Sequence, residues 1–301
     1  MVWWQFWRRG SRTGAAQAGD ADAASMTHRT TMGRRFLRGV PYVLPKDMDE
    51  VNRLDFQHYM MRYGLRGNYA APIGSPDSIL DVGSGTGRWA IEMAELFPRA
   101  RVVGVDVAPT ADEGSLAPAR PRNVSFVTGN VLEGLPFADD SFAFTHQRYM
   151  IGAIPRDQWP RVVGELARVT RPGGWVEVVE AGTSEGGGAG LQQVDAWVAA
   201  VLARRNLDID LAPQLESFLK GAGLQRVTVH HVRLPLGPYG GRVGSLVETD
   251  YFAAVQAMRA PVVSLGMATE ADYDATVRAA REEVRRGRVV FPVYVVIGRR
   301  P

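Results

Sequence analysis

Three glycines in the stretch "DVGSGTG" stand at alternate positions, between strand-forming residues and a helical pattern. Glycine lets the backbone turn sharply, so Gly83, Gly85 and Gly87 could bring a ligand against bare main chain. A dinucleotide-binding turn, G-x-G-x-x-G, would need glycine at Arg88, and a phosphate-binding P-loop would need a lysine, which this stretch lacks. Asp81 would repel a pyrophosphate and attract a cationic amine. The turn therefore favours a ligand with an amine and little negative charge.

Carboxylate and amide groups follow the next two strands along the chain. Asp106 ends "RVVGVD", nineteen residues after Gly87, where a carboxylate accepts hydrogen bonds from the ribose hydroxyls of a nucleoside. Asn130 and Val131 follow "FVTG". The Asn130 amide oxygen could accept a hydrogen bond from the adenine amine, and the Val131 N–H could donate to a ring nitrogen. Ordinary turn or helix-cap roles for Asp106 and Asn130 are the structural alternatives.

The elements that would position these residues alternate between strands and helices. This alternation predicts an α/β fold with a parallel sheet covered on both faces. We predict strands at residues 78–82, 101–106, 124–128, 142–147, 174–180, 225–233 and 289–298. Helices are predicted at residues 86–97, 157–170, 191–205 and 211–222.

Segments outside this alternation suggest a cap and a lid. A broadly apolar helix over residues 46–63 lies in a predicted N-terminal helical cap, residues 33–77, ahead of the main domain at 78–301. Residues 234–288 form an insertion too long for a plain loop, with helical patterns at 243–258 and 269–287, and we expect a lid there. Residues 1–32 are mostly small and polar, so we expect a disordered tail, or a mis-annotated start with Met26 as the true one.

Composition excludes several classes of function. The chain has no cysteine, so it cannot form disulfides or thiolate metal sites, and this fits a cytoplasmic protein. The net charge is +3 and comes almost wholly from arginine, without a basic face interleaved with aromatic residues. The apolar opening "MVWWQFW" is too short to span a membrane. We therefore expect neither a nucleic acid nor a membrane as partner.

The ligand that combines an amine, a ribose and an adenine without phosphate is S-adenosylmethionine. "DVGSGTG", "VVGVDVAP", "FADDSF" and "RPGGWVEVVE" resemble the motifs of class I S-adenosylmethionine-dependent methyltransferases, in that family's order and spacing. "YVLPKDMDEVNRLDFQH", the His-x-Arg of "THQRYM" and "FPVYVVIGRRP" are similar to its secondary-metabolism branch, which includes fungal LaeA-like proteins and bacterial natural-product methyltransferases. The resemblance implies a doubly wound, Rossmann-like sheet of seven strands whose last strand is antiparallel, with a helical cap over the active site.

Carried over by position, the resemblance also implies a cofactor site. Asp81 would bind the methionine amine, Asp106 the ribose, and either Gln147 or Arg148 the methionine end. The whole implied set is Asp81, Gly83, Ser84, Gly85, Gly87, Asp106, Val107, Asn130, Val131, Gln147 and Arg148. Two positions depart from the family: many relatives carry an acidic residue at Asn130, and Ala143 replaces the usual aspartate of "DSFD".

Methyl transfer is an in-line displacement from an activated donor, so positioning and desolvation supply much of the catalysis. An oxygen or nitrogen acceptor can need a base, and His146 and His58 are the candidates, each with a structural role as the alternative. A carbon acceptor would instead develop a cation, which aromatic faces stabilise. We expect a substrate pocket formed by Tyr42, Tyr149 and Met150, with Tyr239 and Tyr251 from the insertion and Glu180 also near the site. The alternatives are a simple core role for the aromatic residues and a helix-cap or solvent role for Glu180.

No metal site is predicted, because His230 and His231 are adjacent on a strand and point to opposite faces.

The favoured interpretation is an enzyme that methylates a small, largely apolar natural product. Methylation of RNA or protein, and a non-enzymatic regulator that binds S-adenosylmethionine, are the alternatives. A nicotinamide-dependent oxidoreductase would share the fold class but conflicts with Asp81 and Arg88. The N-terminal cap could also mediate a homo-oligomer.

Overall fold

The computed structural model describes residues 28–31, 34–37, 48–109 and 120–301. Strands β1 (His28–Thr31) and β2 (Arg34–Leu37) pair as an antiparallel hairpin. Most of the tail predicted over residues 1–32 lies outside the described residues, as does Tyr42 of the predicted substrate pocket.

The main sheet has seven strands, in the order β5-β4-β3-β6-β7-β9-β8. Their bounds are β3 Ser78–Val82, β4 Arg101–Asp106, β5 Val124–Thr128, β6 Phe142–Arg148, β7 Thr170–Ala181, β8 Gln225–Leu236 and β9 Val289–Arg299. Strands β5, β4, β3, β6 and β7 pair in parallel, whereas β9 runs antiparallel to both of its neighbours. The predicted fold, with its antiparallel last strand, is confirmed.

Helices cover both faces of this sheet. They are α1 Met48–Leu65, α2 Arg88–Leu96, α3 Trp159–Val169, α4 Ala189–Ala203, α5 Leu215–Gly221, α6 Gly241–Ser264 and α7 Glu270–Arg286, with short 3-10 turns at Arg156–Gln158, Ala212–Gln214 and Pro238–Gly240. Alternate residues of the central strands face opposite cores: Ile79 of β3 packs in the core that includes α2, α4, α6 and α7, and Leu80 in the core that includes α3 and α5. This is the double covering that parallel strands require.

Strand β7 begins earlier than predicted. The predicted strand began at residue 174, but Thr170 pairs with Phe142 of β6 and an irregularity in register follows it. Gly173 N–H also donates to the Arg300 carbonyl oxygen at 2.9 Å. Pairing with flanking strands therefore extends β7 beyond the predicted boundary.

The predicted cap helix is α1, and it packs against α6 of the insertion. Met60 and Met61 are buried, while Tyr59 and Tyr63 are exposed. At its first turns, Arg53 Nη1 lies 3.5 Å from Asp250 Oδ1 on α6. Cap and insertion therefore enclose one side of the molecule together.

The insertion between β8 and β9 is a packed pair of helices. Strand β8 continues to Leu236, past the predicted boundary at 234. Helix α6 is longer than predicted and passes through Pro261 in its last turn. Glu283 of α7 accepts hydrogen bonds from the N–H groups of Gly190 at 2.9 Å and Leu191 at 2.8 Å, which start α4. This contact satisfies donors that a helix N-terminus would leave unpaired, so it fixes α7 to α4.

Across the described ranges, no helix combines the length and the apolar character needed to cross a membrane.

Candidate active site

A cavity of about 330 Å³ opens at the carboxyl ends of β3, β4 and β6. It lies where the strand order reverses between β3 and β6, which is where open α/β sheets bind ligands. One end is bounded by the glycine turn, and the other by α1, α4 and α6. Most of the predicted residues line it: His58, Asp81, Gly83, Ser84, Gly85, Asp106, Val107, Asn130, Val131, His146, Arg148, Tyr149, Met150 and Tyr251.

The glycine turn has a backbone that only glycine adopts easily. Gly83 has φ +75°, and a Cβ there would lie 2.3 Å from the Met150 sulfur. Gly87 has φ +74° and is the N-cap of α2, so it shapes the turn without lining the cavity. The N–H groups of Gly83 and Ser84 both donate to the Val105 carbonyl oxygen. The side chain of Ser84 is buried, and its hydroxyl has no partner among the described residues.

Asp106 holds the turn to the end of β4. Its Oδ2 accepts a hydrogen bond from Gly85 N–H and its Oδ1 accepts one from Ala108 N–H, both at 2.9 Å. A carboxylate oxygen has two lone pairs, so each oxygen can accept a second hydrogen bond from the cavity side. The turn-forming role and the predicted ribose role are therefore compatible.

Asn130 forms an ordinary turn with its side-chain amide, which is the structural alternative to its predicted contact with adenine. Its Oδ1 accepts a hydrogen bond from Leu132 N–H at 3.0 Å, and its Nδ2 donates to Glu133 Oε1 at 2.9 Å. The neighbouring Val131 N–H donates to no group in the described part of the chain. Val131 is thus the better placed of the two for a ligand nitrogen, and the role of Asn130 stays a prediction.

Asp81 is hydrogen-bonded to His146 on the neighbouring strand. His146 Nδ1 lies 3.0 Å from Asp81 Oδ1, and both residues are buried. The imidazole stacks on Trp89, with ring centroids 3.9 Å apart and an interplanar angle of 5°. Glu177 is the residue opposite His146 on β7, and burial raises the pKa of its carboxyl. His146 is therefore held by a hydrogen bond to Asp81 and by the stacked ring of Trp89.

His58 of α1 links the cap to the cavity. Arg148 Nη2 donates to His58 Nδ1 at 3.1 Å, and His58 Nε2 lies 3.2 Å from Glu92 Oε2. Burial lowers the pKa of His58, so the imidazole is held neutral. Burial also lowers the pKa of Arg148, and no carboxylate of the described residues lies within 4.0 Å of its guanidinium. Arg148 is therefore a cation available to an anionic group in the cavity.

Besides Gly87, three predicted residues of the described part of the chain lie outside the cavity lining, namely Gln147, Glu180 and Tyr239. Gln147 has both amide atoms buried without a partner among the described residues, and it alternates with His146 and Arg148 along β6. Glu180 is buried and accepts hydrogen bonds from the N–H groups of Met150 at 2.7 Å and Ile151 at 3.2 Å. Burial raises the pKa of Glu180 to about 8.

Tyr239 is partly exposed and donates to the Val289 carbonyl oxygen at 2.6 Å, away from the cavity. Tyr149 lines the cavity. Its hydroxyl lies 3.0 Å from the Met61 sulfur, and its backbone has φ +57°. Burial raises the pKa of the Tyr149 hydroxyl. Of the tyrosines proposed for the substrate pocket, Tyr149 and Tyr251 are thus the two that the structure brings together.

Sequence reasoning missed the polar residues at the other end of the cavity, namely Arg53, Gln57, Asp195 and Asp250. Gln57 Nε2 donates to Asp250 Oδ2 at 3.2 Å, and the Tyr251 hydroxyl donates to Asp195 Oδ1. Arg53 and Gln57 lie in the quoted stretch "YVLPKDMDEVNRLDFQH" but were not singled out there, and only an acidic residue within an apolar helical pattern could have marked Asp195 and Asp250. No cluster of three or more potential metal-ligating side chains occurs in the part of the chain that the structure describes.

The comparisons with known proteins identify the family. Residues 79–174 match a family described as a methyltransferase domain. The chain is 30% identical over 291 residues to the methyltransferase pytC of Aspergillus terreus, covering 89% of this chain and 87% of that protein. This chain belongs to the S-adenosylmethionine-dependent methyltransferases. S-adenosylmethionine is its methyl donor.

The methyltransferase also resembles a regulator. It is 36% identical over 155 residues to the secondary metabolism regulator laeA of Aspergillus fumigatus, covering 50% of this chain and 39% of that protein. A solved structure, Haemonchus contortus phosphoethanolamine N-methyltransferase 2 in complex with S-adenosyl-L-methionine, has 16% identity and a TM-score of 0.49. The alignment covers 89% of this chain and 62% of that one. Values this low transfer no property between the two proteins.

The residues of the methyltransferase fit the donor. Gly85 lines the cavity with φ +50°, and a Cβ there would crowd none of the described residues, which suits close approach of a ligand to the backbone. The unpaired Val131 N–H and the second lone pairs of Asp106 are positioned for groups that adenosine carries. Asp81 and Arg148 offer opposite charges, as the amine and carboxylate of a methionine moiety require.

Proposed function

We propose that the methyltransferase methylates a small, largely apolar natural product in secondary metabolism. The observation that carries this proposal is the shape of the cavity beyond the glycine turn, where α1, α4 and α6 enclose it. Its lining there is mainly apolar, with Val198, Leu202, Ile209, Ala254, Val255, Met258 and Phe291. A concave apolar pocket with a few polar groups suits a small molecule better than a folded macromolecule.

The half of the cavity at the glycine turn would hold the donor. His146 engages one oxygen of Asp81 and leaves the other for the methionine amine, while Arg148 would hold the methionine carboxylate. Asp106 would accept the ribose hydroxyls, and Val131 N–H would bind the adenine. The bound donor supplies a methyl group that is already activated on a sulfonium. These residues orient it and exclude water around the reacting centre.

The two histidines are candidate bases that already have partners. His146 would have to release Asp81 at Nδ1, or use Nε2, to take a proton from an acceptor. His58 has Arg148 at one nitrogen and Glu92 at the other. We therefore propose that both histidines mainly position charged groups of the donor site.

Two other functions are the alternatives, a regulator that binds the donor and a methyltransferase that acts on a macromolecule. Similarity to laeA favours a regulator that binds the donor without transferring its methyl group to a small molecule. A macromolecular acceptor would need an open cleft, whereas α1 and α6 pack together over this one.

The absence of cysteine fits the cytoplasm, where we place the protein.

The test is to supply the purified protein with S-adenosylmethionine carrying a deuterated methyl group and a size-fractionated extract of its producer. Mass spectrometry then shows where the label goes, and an Asp106→Ala variant shows which transfer depends on this site. Label in the low-mass fraction supports the proposal. Label on protein or RNA, or donor binding by calorimetry without any transfer, overturns it.

A further inference from the structure

A carboxylate and a tyrosine hydroxyl meet in the acceptor half of the cavity. Asp195 lies on α4 and Tyr251 on α6, and both line the cavity. The Tyr251 hydroxyl donates to Asp195 Oδ1, and the Ser184 hydroxyl donates to Asp195 Oδ2 at 2.5 Å. Because the Tyr251 proton is directed at Asp195, the lone pairs of the Tyr251 oxygen are left to accept a hydrogen bond.

Asp195 has no counter-charge. No arginine, lysine or histidine of the described residues lies within 4.0 Å of its carboxylate, whereas Asp250 lies 3.5 Å from the Arg53 guanidinium. Burial raises the pKa of Asp195, and the negative charge of Asp210 raises it further, although the Ser184 and Tyr251 hydroxyls oppose this. A partly buried carboxylate without a cation is costly, and such groups concentrate at functional sites.

We propose that Tyr251 and Asp195 form a proton relay that selects an acceptor carrying an O–H or N–H group. This inference rests on the proposed function, because it names the chemistry of the acceptor in that reaction. The acceptor donates its hydrogen bond to the Tyr251 oxygen, which holds the nucleophilic atom in place. An acceptor that reacts at carbon carries no O–H or N–H at the reacting atom and so gains no hydrogen bond to the Tyr251 oxygen.

The relay balances charge as well as protons. The acceptor oxygen or nitrogen bonds to the methyl carbon while the carbon–sulfur bond breaks and its electron pair stays on sulfur. The acceptor proton passes to the Tyr251 oxygen, and the Tyr251 proton passes to Asp195. The positive charge of the sulfonium and the negative charge of Asp195 both disappear, so no charge is left buried in the apolar pocket.

Several groups face this relay and enter its pH dependence. Ser184 contacts Asp195 directly, and Asp210 acts on it through its charge. Burial raises the pKa of Tyr251 well above its ordinary value, and Asp195 and the nearby Tyr273 on α7 raise it further, while a hydrogen bond with the Ser184 hydroxyl lowers it. Tyr251 therefore stays protonated at neutral pH and passes a proton on without ionising.

Binding of 2-naphthol tests the hydrogen bond directly, with 2-methoxynaphthalene as the analogue that cannot donate. Calorimetry on the complex with S-adenosylhomocysteine should show that 2-naphthol binds about tenfold more tightly than 2-methoxynaphthalene. This ratio corresponds to one hydrogen bond to a charged relay. Tyr251→Phe should abolish this preference. Tyr63→Phe is the matched control, because Tyr63 is exposed on α1 outside the cavity, and it should keep the preference. Equal binding of the two probes, no binding of 2-naphthol, or a preference retained in Tyr251→Phe would overturn the relay.

The labelled product and the Asp195→Asn variant complete the test. Deuterium NMR of the product should place the methyl group on oxygen or nitrogen. Asp195→Asn should keep 2-naphthol binding within about threefold and slow label transfer by about 100-fold, because general-base catalysis is lost. A methyl group on carbon, or unchanged transfer in Asp195→Asn, contradicts the relay while the proposed function stands. Absence of label from the low-mass fraction contradicts the proposed function instead.

Discussion

His146 Nδ1 lies 3.0 Å from Asp81 Oδ1, and both side chains are buried between the sheet and the cap. Trp89 fixes the plane of the imidazole by stacking, and the Trp89 Nε1–H in turn donates to the Asn68 carbonyl oxygen at 2.7 Å. The carboxylate proposed to bind the methionine amine is thus oriented by a histidine whose own orientation is fixed. A rotating Asp81 would lose that preorganisation.

His146→Leu should therefore weaken binding of S-adenosylhomocysteine by about tenfold, the worth of a charged hydrogen bond. His146→Asn should lose less of this affinity, because the Nδ2 of asparagine can occupy the position of the histidine Nδ1 and donate to Asp81. Calorimetry measures both affinities. Unchanged affinity in both variants, with slowed methyl transfer, would show that His146 is a base and does not position Asp81.

The contact between the cap and α2 should depend on pH through Glu92. Burial opposes its ionisation, but His58, Asn68 and Arg62 lower the pKa of Glu92 to about 2. Since its ordinary value is 4.5, the unfolded chain binds the proton more tightly, and stability is lost as pH falls from 4.5 towards 2. This shift in the pKa of Glu92 corresponds to about 3 kcal/mol of folding free energy, or about 2 kcal/mol after solvent screening.

Glu92→Gln should flatten that loss, which urea unfolding at pH 7 and at pH 3 would measure. Glu95→Gln is the matched control, since Glu95 is exposed on the same helix. His58 also makes the protein less stable in acid. Because burial lowers the pKa of His58 below its ordinary 6.5, the stability that the neutral imidazole contributes is lost as the pH falls below 6.5. An identical acid dependence in the Glu92 and Glu95 variants would contradict this assignment.

Gly83→Ala should abolish donor binding and destabilise the protein by about 2 kcal/mol, since the residue has φ +75° and its Cβ would displace Met150. Gly164→Ala, in the middle of α3 with open space around it, should instead stabilise by about 0.5 kcal/mol. Thermal unfolding and calorimetry with S-adenosylhomocysteine compare the two. Wild-type affinity in Gly83→Ala would show that the donor does not approach the backbone there.

Glu283→Ala should lower the free energy of unfolding by about 1 to 2 kcal/mol, because the N–H groups of Gly190 and Leu191 lose their acceptor. Glu282→Ala, which removes an exposed pair with Arg286, should cost about 0.5 kcal/mol or less. Urea unfolding measures both. Equal losses in the two variants would mean that Glu283 does not fix α7 to α4.

The sequence was informative wherever local pattern and function coincide. The strands of "SILDV" and "RVVGVD" have the bounds predicted for them, because buried parallel strands are continuous apolar runs between turn signals. Gly83, Gly85 and Gly87 have the positive φ angles that a sharp glycine turn requires, and Asp106 lines the cavity at the end of β4. Asp195 and Tyr251 were a different case: they are 56 positions apart and meet only because α4 and α6 pack together. No local pattern encodes that contact.

Asn130 and Gln147 show the other limit of sequence reasoning. Asn130 lines the cavity while its amide also forms its own turn, so its contact with the cofactor stays a prediction; of the two alternatives Gln147 and Arg148, Arg148 is the one that lines the cavity. Which face of a strand a polar residue takes depends on register, and residues next to each other at the end of β6 go to opposite faces.

A crystal structure of the protein with S-adenosylhomocysteine would show the donor site itself. We expect the amine at Asp81, the ribose at Asp106, the adenine at Val131 N–H, and the sulfur facing the half of the cavity that holds Tyr251 and Asp195. A sulfur atom that faces open solvent, or an adenosine bound away from Asp106, would contradict this expectation.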